Sequence, residues 1–330
     1  MIEESPTGGE VGAWRFCVAP MMDWTDRHCR FFFRLISRRA RLYTELITAP
    51  ALRHGDVPRH LDFDPAERPL ALQLGGSDPA ALAHAARLGM QWGYDEINLN
   101  CGCPSERVQT GSFGACLMAE PALVADCVRA MRDAVSVPVT VKHRIGLDAI
   151  EDFGFVRDFV GAVAEAGCEV FIVHARNAVL KGLSPKQNRE VPPLRYDIVR
   201  RLKQEFPSLT IVLNGGLTEW DGIERELAFV DGVMLGRAAY HDPYLLAEVD
   251  RRLFGDTGPS PLRSQIVEAL CMYATAELAR GTSLRAIARH ILGLYHGEPG
   301  GRRFRRLLSD ASRLRGADAS LLIDALRAVQ

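Results

Sequence analysis

A (β/α)8 TIM barrel followed by a small C-terminal all-α helical domain is the architecture this sequence predicts, and three observations carry it. Eight short apolar runs recur between Phe16 and Gly236, segments of helical spacing separate them, and beyond Leu253 to Pro261 the runs stop while helical patterns continue. Parallel strands buried on both faces read as continuous apolar runs rather than as alternation, which is the pattern here. A doubly wound open sheet is the structural alternative.

Taken in order, the strands are expected at Phe16 to Pro20, Leu42 to Leu46, Leu70 to Leu74, Glu96 to Asn100, Val137 to Lys142, Val170 to His174, Thr210 to Asn214 and Gly232 to Gly236. Helix punctuation falls between them. Ser77-Asp78-Pro79 opens a helix over Ala80 to Trp92, Pro121 opens one over Ala122 to Ala134, and Gly167 closes one over Phe155 to Ala166. The glycine- and proline-rich stretch Gly255 to Pro261 marks a boundary, so residues 14–254 are assigned to the barrel and 260–330 to the helical domain. Helices are expected there over Leu262 to Ala279 and Leu284 to Leu294. The start, Met1 to Glu10, is acidic, small and polar, unlike a secretory signal, and residues 1–13 are assigned to a disordered N-terminal tail.

The 330 residues accommodate one barrel of about 250 residues and a small second domain. Hydrophobic residues make up 47% and charged residues 25%, and no apolar run approaches the roughly 18 residues of a membrane span, so a soluble, non-membrane protein is expected. The eight cysteines lie mostly in apolar contexts such as Phe16-Cys17-Val18, the habit of reduced thiols in a cytoplasmic protein. Cys101 and Cys103 have no matching pair elsewhere, so no metal site is expected. A net charge of −1 neither favours nor opposes nucleic acid, which leaves local clusters to decide. Two stand out: Arg27, Arg30, Arg34, Arg38, Arg39 and Arg41 in one run, and Arg302-Arg303-Phe304-Arg305-Arg306 near the end.

In such a barrel the functional groups gather at the carboxyl ends of the strands. Here those ends read Pro20-Met21-Met22, Glu45, Gln73-Leu74-Gly75-Gly76, Asn98 to Cys103, Lys142-His143-Arg144, His174-Ala175-Arg176, Asn214-Gly215-Gly216 and Gly236-Arg237. Gly215-Gly216 and Gly236-Arg237 follow strands seven and eight, where backbone amides and a helix N-terminus commonly hold a phosphate; the alternative is that these glycines only permit tight turns. Lys142 would point into the mouth, to offset negative charge on a reduced cofactor ring or to form a Schiff base, unless it is a solvated lysine. His174 ends strand six as a ligand contact or as a satisfied structural histidine. An ordinary thiol, with a pKa of about 8.5, is protonated near neutral pH, so Cys103 is by default a proton donor; a nucleophilic thiolate would need a nearby base or cation, and the alternative is a structural cysteine, although Gly102 and Pro104 describe a turn rather than a core.

With these residues assembled, the chain resembles the tRNA-dihydrouridine synthases, flavoenzymes that reduce a uracil ring in tRNA. The motifs are Ala19-Pro20-Met21-Met22-Asp23-Trp24-Thr25-Asp26, Leu72-Gln73-Leu74-Gly75-Gly76, Asn98-Leu99-Asn100-Cys101-Gly102-Cys103-Pro104, Val141-Lys142-His143-Arg144-Ile145-Gly146, His174-Ala175-Arg176 and Asn214-Gly215-Gly216. Asp23-Trp24-Thr25-Asp26-Arg27-His28-Cys29-Arg30, Gly182-Leu183-Ser184-Pro185-Lys186 and Ala115-Cys116-Leu117-Met118 look like subfamily A, whose members act on D-loop uridines 20 and 20a. The resemblance implies FMN across the mouth, its ring near Pro20, Met21, Met22, Gln73, Lys142 and His174 and its phosphate at Asn214, Gly215, Gly216, Gly236 and Arg237. It implies NADPH as a transient reductant, no dinucleotide fingerprint being evident, and Cys103 as the donor to C5, with Cys101 facing away. Asn100 is expected at the uracil edge, and Lys186, Arg189, Arg302 and Arg305 on tRNA phosphates. No obligate protein partner is evident. Three other readings stand beside this one: a flavin oxidoreductase of free pyrimidines resembling dihydroorotate dehydrogenase, a Schiff-base aldolase on Lys142, and a noncatalytic RNA-binding module.

Overall fold

The computed structural model describes residues 12–105, 111, 113–150 and 152–329. Most of the expected tail, residues 1–11, therefore lies outside the described residues; Ala13 already touches the barrel, its carbonyl accepting a hydrogen bond from Arg41 Nε at 3.0 Å.

Among the described residues nine strands form one parallel sheet: β1 (Phe16–Val18), β2 (Leu42–Tyr43), β3 (Ile47–Thr48), β4 (Leu70–Gly75), β5 (Glu96–Cys101), β6 (Val139–Arg144), β7 (Val170–His174), β8 (Thr210–Asn214) and β9 (Gly232–Leu235). Their order is β1-β9-β8-β7-β6-β5-β4-β2, with β3 also on β4. The ring closes where Arg41 exchanges backbone hydrogen bonds with Phe16 and Val18, at 2.9 Å each. Helices alternate with the strands, including Pro79–Trp92, Pro121–Ala134 and Phe153–Glu165. The Asp78 carboxylate caps the first of these and Asp152 the third. The result is the expected (β/α)8 barrel.

The second stave corrects the expected strand Leu42 to Leu46. Leu42 and Tyr43 pair with Leu70 and Ala71, whereas Ile47 and Thr48 pair with Leu74 and Gly75, so the register slips by one residue between them. That slip is a β-bulge, which bends a strand and re-aims its side chains. The bulge leaves the Gln73 N–H without a ladder partner, and the Thr44 hydroxyl accepts it at 3.0 Å.

Alternation along each strand divides the core into two layers. Phe171 and Val173 face the helices, while Ile172, Val170, Val212, Ala71 and Met234 fill the barrel interior. Phe171 is fully buried, and burying a side chain of that size stabilises the fold by roughly 1.5 to 3 kcal/mol.

After β9 the described chain is helical or looped, with helices at Val249–Phe254, Arg263–Ala279, Leu284–Ala288, Gly301–Ser309, Ala311–Leu314 and Ser320–Arg327. The helix expected over Leu284 to Leu294 stops at Ala288. Beyond it His290, Ile291 and Leu294 donate to carbonyls three residues back, a tighter winding that lets Gly293 pass against the backbone of His241. These helices dock on the helix Arg27–Ile36 of the barrel, where Phe31 stacks on Tyr273 with ring centroids 3.9 Å apart.

Most of the first arginine run, basic as a stretch of sequence, is taken up inside the protein. Arg30 is buried against Glu67 at 2.6 Å, and Arg34 is buried and donates to the carbonyls of Ser37, Ala40, Glu67 and Pro69. Arg41 is buried against Glu96, and Arg27 bridges Asp62 and Glu277. Their charges hold elements together and are not offered to a partner.

Candidate active site

At the carboxyl ends of the strands lies a cavity of about 580 Å³. Pro20, Met21, Met22, Gln73, Asn100, Cys103, Lys142, His174, Arg189, Asn214, Gly215, Gly216, Gly236 and Arg237 all line it. Three expected contacts do not. Lys186 is exposed on the loop after β7, and Arg302 and Arg305 sit on the helical domain.

Five cations line the cavity, Lys142, Arg144, Arg176, Arg189 and Arg237, and among the described residues no carboxylate does. The field there is positive, and low-dielectric walls concentrate it. Lys142 is the most constrained. Its Nζ donates to Asn214 Oδ1 at 3.0 Å, and burial, reinforced by the Arg144 charge, lowers its pKa to about 7. Burial, with the charges of Arg144 and Lys142, holds His174 well below the ordinary histidine range, so its ring is neutral at neutral pH. Its Nδ1 is buried with no hydrogen-bond partner among the described residues. Both groups are left for a ligand to satisfy.

Arg144 was within reach of sequence reasoning and was not assigned a role. Period-two alternation puts Lys142 and Arg144 on one face of β6 and His143 on the other, where it packs against Phe159 and Phe171. Arg144 Nε donates to the Gly102 carbonyl at 3.1 Å and Nη1 to the Asn188 carbonyl at 3.0 Å, so one guanidinium ties the cysteine turn to the loop after β7.

Gly215 and Gly216 have φ of 113° and 74°, the left-handed region that glycine adopts at little cost. A Cβ on Gly215 would sit 3.0 Å from His174 Cδ2, and one on Gly216 2.4 Å from Leu194 Cδ1. Gly236 begins the short helix Arg237–His241, and no side chain caps it. Arg237 is not free at this rim: Nη1 pairs with Glu190 Oε1 at 2.6 Å.

The two thiols differ. Cys103 is half-buried on the cavity wall, its Sγ 3.4 Å from Ser105 Oγ. Cys101 is fully buried among outer-layer side chains, and burial pushes its thiol well above the ordinary range. Asn100 holds the Cys103 turn: Oδ1 accepts from the N–H groups of Gly102 (3.1 Å) and Cys103 (3.0 Å), and Nδ2 donates to Gln73 Oε1 at 2.9 Å. What Asn100 has left for a ligand is its second amide N–H.

On the helical domain Arg302, Arg303, Arg305 and Arg306 are all exposed along Gly301–Ser309. Phe304 is not one of a basic-aromatic set: it is buried, with its ring centroid 4.8 Å from that of Tyr295. Among the described residues Arg302 and Arg305 form no ion pair, whereas Arg303 donates to the Ala328 carbonyl.

Comparison with known proteins places this geometry. A chain of 2-naphthoyl-CoA reductase, solved with 2-naphthoyl-CoA, superposes with a TM-score of 0.54 at 11% identity over 71% of this chain and 49% of that one, which supports the fold alone. The tRNA-dihydrouridine(20/20a) synthase of Pseudomonas putida is 61% identical over 89% of this chain and 88% of its own. The protein of the same name from Xanthomonas campestris pv. campestris is 56% identical over 96% and 94%, and that from Synechocystis sp. 55% identical over 94% and 93%. The family model described as dihydrouridine synthase (Dus) matches residues 17–330, so the chain belongs to the dihydrouridine synthase family.

Proposed function

We propose that this protein reduces the C5=C6 bond of D-loop uridines 20 and 20a in tRNA, in the cytoplasm, with FMN as bound cofactor and NADPH as transient reductant. The observation that carries this reading is the convergence of Cys103, Lys142 and His174 on one cationic cavity with no carboxylate lining among the described residues. The site has the features a flavin phosphate and ring would need: Gly215 and Gly216 leave no room for side chains of their own, and among the described residues the buried Lys142 ammonium has no anionic partner there. FMN would supply hydride to C6 of the uracil.

The protein's own part follows from its atoms. Cys103 would donate its Sγ proton to C5, and Arg144 keeps the turn beneath that thiol in place. Lys142 would lie against the ring, its charge available to offset negative charge there. Asn100 would give its free amide N–H to a uracil carbonyl. A base extruded from folded RNA loses a few kcal/mol of stacking, which stacking in the site offsets by roughly 1 to 3 kcal/mol. Residues 14–254 would form the catalytic unit and 260–330 a tRNA-binding unit, with Lys186 and Arg189 on nearby phosphates.

Two measurements test this. The protein should purify yellow or take up FMN on incubation, and tRNA from cells lacking it should lose dihydrouridine at positions 20 and 20a. A preparation that binds no flavin, or unchanged tRNA, overturns the reading.

The exposed pair Arg302 and Arg305, three apart on one helix, is expected to grip phosphates and orient the tRNA. Replacing both with alanine should weaken tRNA binding and lower the salt slope by about one unit per lost contact, with flavin content and NADPH oxidation unchanged. Unaltered affinity and slope would make this cluster a solvated surface.

A further inference from the structure

A continuous ladder of buried polar side chains runs up the barrel interior and ends on the turn that carries Cys103. It starts at Glu96, fully buried, whose Oε2 accepts from Trp14 Nε1 (2.8 Å) and Arg41 Nη1 (3.1 Å) and whose Oε1 accepts from the hydroxyls of Tyr43 (2.8 Å) and Thr140 (2.5 Å). Asn98 Nδ2 donates to Thr140 Oγ1 at 2.7 Å, Gln73 Nε2 donates to Asn98 Oδ1 at 2.7 Å, and Asn100 Nδ2 donates to Gln73 Oε1 at 2.9 Å. Asn100 Oδ1 then takes the N–H groups of Gly102 and Cys103.

The ladder has one direction, set at both ends. At the lower end both Glu96 oxygens accept, from Trp14, Arg41 and Tyr43, and Thr140 donates its hydroxyl to Oε1, so that hydroxyl accepts from above. Backbone N–H groups only donate, so Asn100 must turn its oxygen to the cysteine turn. Each amide between them is thereby fixed in one of its two orientations; reversing any one sets donor against donor or acceptor against acceptor. Barrel interiors are ordinarily filled by branched apolar side chains, and buried polar groups are destabilising unless every bond is made. Packing alone does not call for this ladder.

We propose that Glu96, Thr140 and Asn98 are positioning residues, acting through Gln73 and Asn100 to hold the turn from which the Cys103 thiol meets its substrate. The inference rests on Cys103 being the donor to C5. It assigns these three residues no contact with substrate or flavin.

The test uses flavin-loaded enzyme carrying Thr140→Val, which removes the hydroxyl at nearly constant volume, and Thr140→Ser, which keeps it. Three rates are compared: flavin reduction by NADPH, reoxidation of the reduced flavin by unmodified tRNA without oxygen, and alkylation of Cys103 by iodoacetamide located by peptide mass. Thr140→Val should reduce its flavin within about twofold of the parent rate, reoxidise at least about tenfold more slowly because the donor is misplaced, and alkylate Cys103 at an altered rate; Thr140→Ser should restore both changes. Reoxidation and alkylation at parent rates in Thr140→Val overturn the proposal, and so does equal slowing in both variants. If Thr140→Val does not fold, Thr140→Ala carries the same comparison. If neither yields flavin-loaded protein while Thr140→Ser does, the ladder is structural only and the proposal fails. A Cys103→Ala control that still reoxidises at the parent rate would remove the donor assignment instead, and the alkylation comparison would still judge the ladder.

Discussion

Cys103→Ala is expected to keep its flavin and its tRNA affinity while turnover falls by about 10² to 10⁴-fold, the usual contribution of a positioned general acid. The loss should be confined to one half of the cycle. NADPH should still bleach the flavin at the parent rate, whereas tRNA should hardly restore the colour, because only the proton to C5 is missing. Cys101→Ala is the matched control two residues away. Its thiol is fully buried in the outer layer at the end of β5, so its removal should lower stability modestly and leave turnover close to the parent value. An inactive Cys101→Ala beside an active Cys103→Ala would reverse the assignment of the donor.

The contrast between these thiols came from the family resemblance and not from alternation, which puts residues two apart on one face; it is the turn after β5, which ends at Cys101, that parts them. The eight staves were legible because runs such as Val170 to Val173 are apolar throughout, which only a strand covered on both faces tolerates. The bulge between Tyr43 and Ile47 was not, because a one-residue slip leaves the apolar pattern of Leu42 to Leu46 intact and shows only in pairing with β4. Arg30, Arg34 and Arg41 misled for want of partners: Glu67 and Glu96 lie tens of residues away, and only the fold brings them within hydrogen-bond distance. The same holds for the polar ladder. Gln73, Asn98, Asn100 and Thr140 come from three strands, and no local spacing announces that they touch. Rim residues such as Lys142 and His174 were found because a barrel's topology converts position in the chain into position at the mouth.

Lys142 supplies the second large effect, and its sign can be worked out. Burial lowers its pKa from 10.5 to about 7 in the folded protein, so between those values the unfolded chain holds a proton that the folded protein lacks. Stability of the flavin-free protein should therefore rise with pH through this window, by at most about 1.4 kcal/mol per unit. Buried thiols act oppositely: Cys17 and Cys101 are held above the ordinary range, so near and above pH 8.5 ionisation of the unfolded thiols favours unfolding. The Lys142 contribution should thus appear between pH 7 and about 8.5, and the difference between parent and Lys142→Met isolates it. Flavin binding should invert the dependence. An anionic ligand stabilises the ammonium, so FMN should bind with uptake of a proton, and its affinity should weaken as pH rises across the same window. Lys142→Met is expected to lose both dependences and about 10² to 10³-fold in turnover, the range for removing one pre-aligned charge from a water-excluded site. Parallel stability profiles for parent and variant, or proton uptake on FMN binding that survives the substitution, would place the titrating group elsewhere in the cavity.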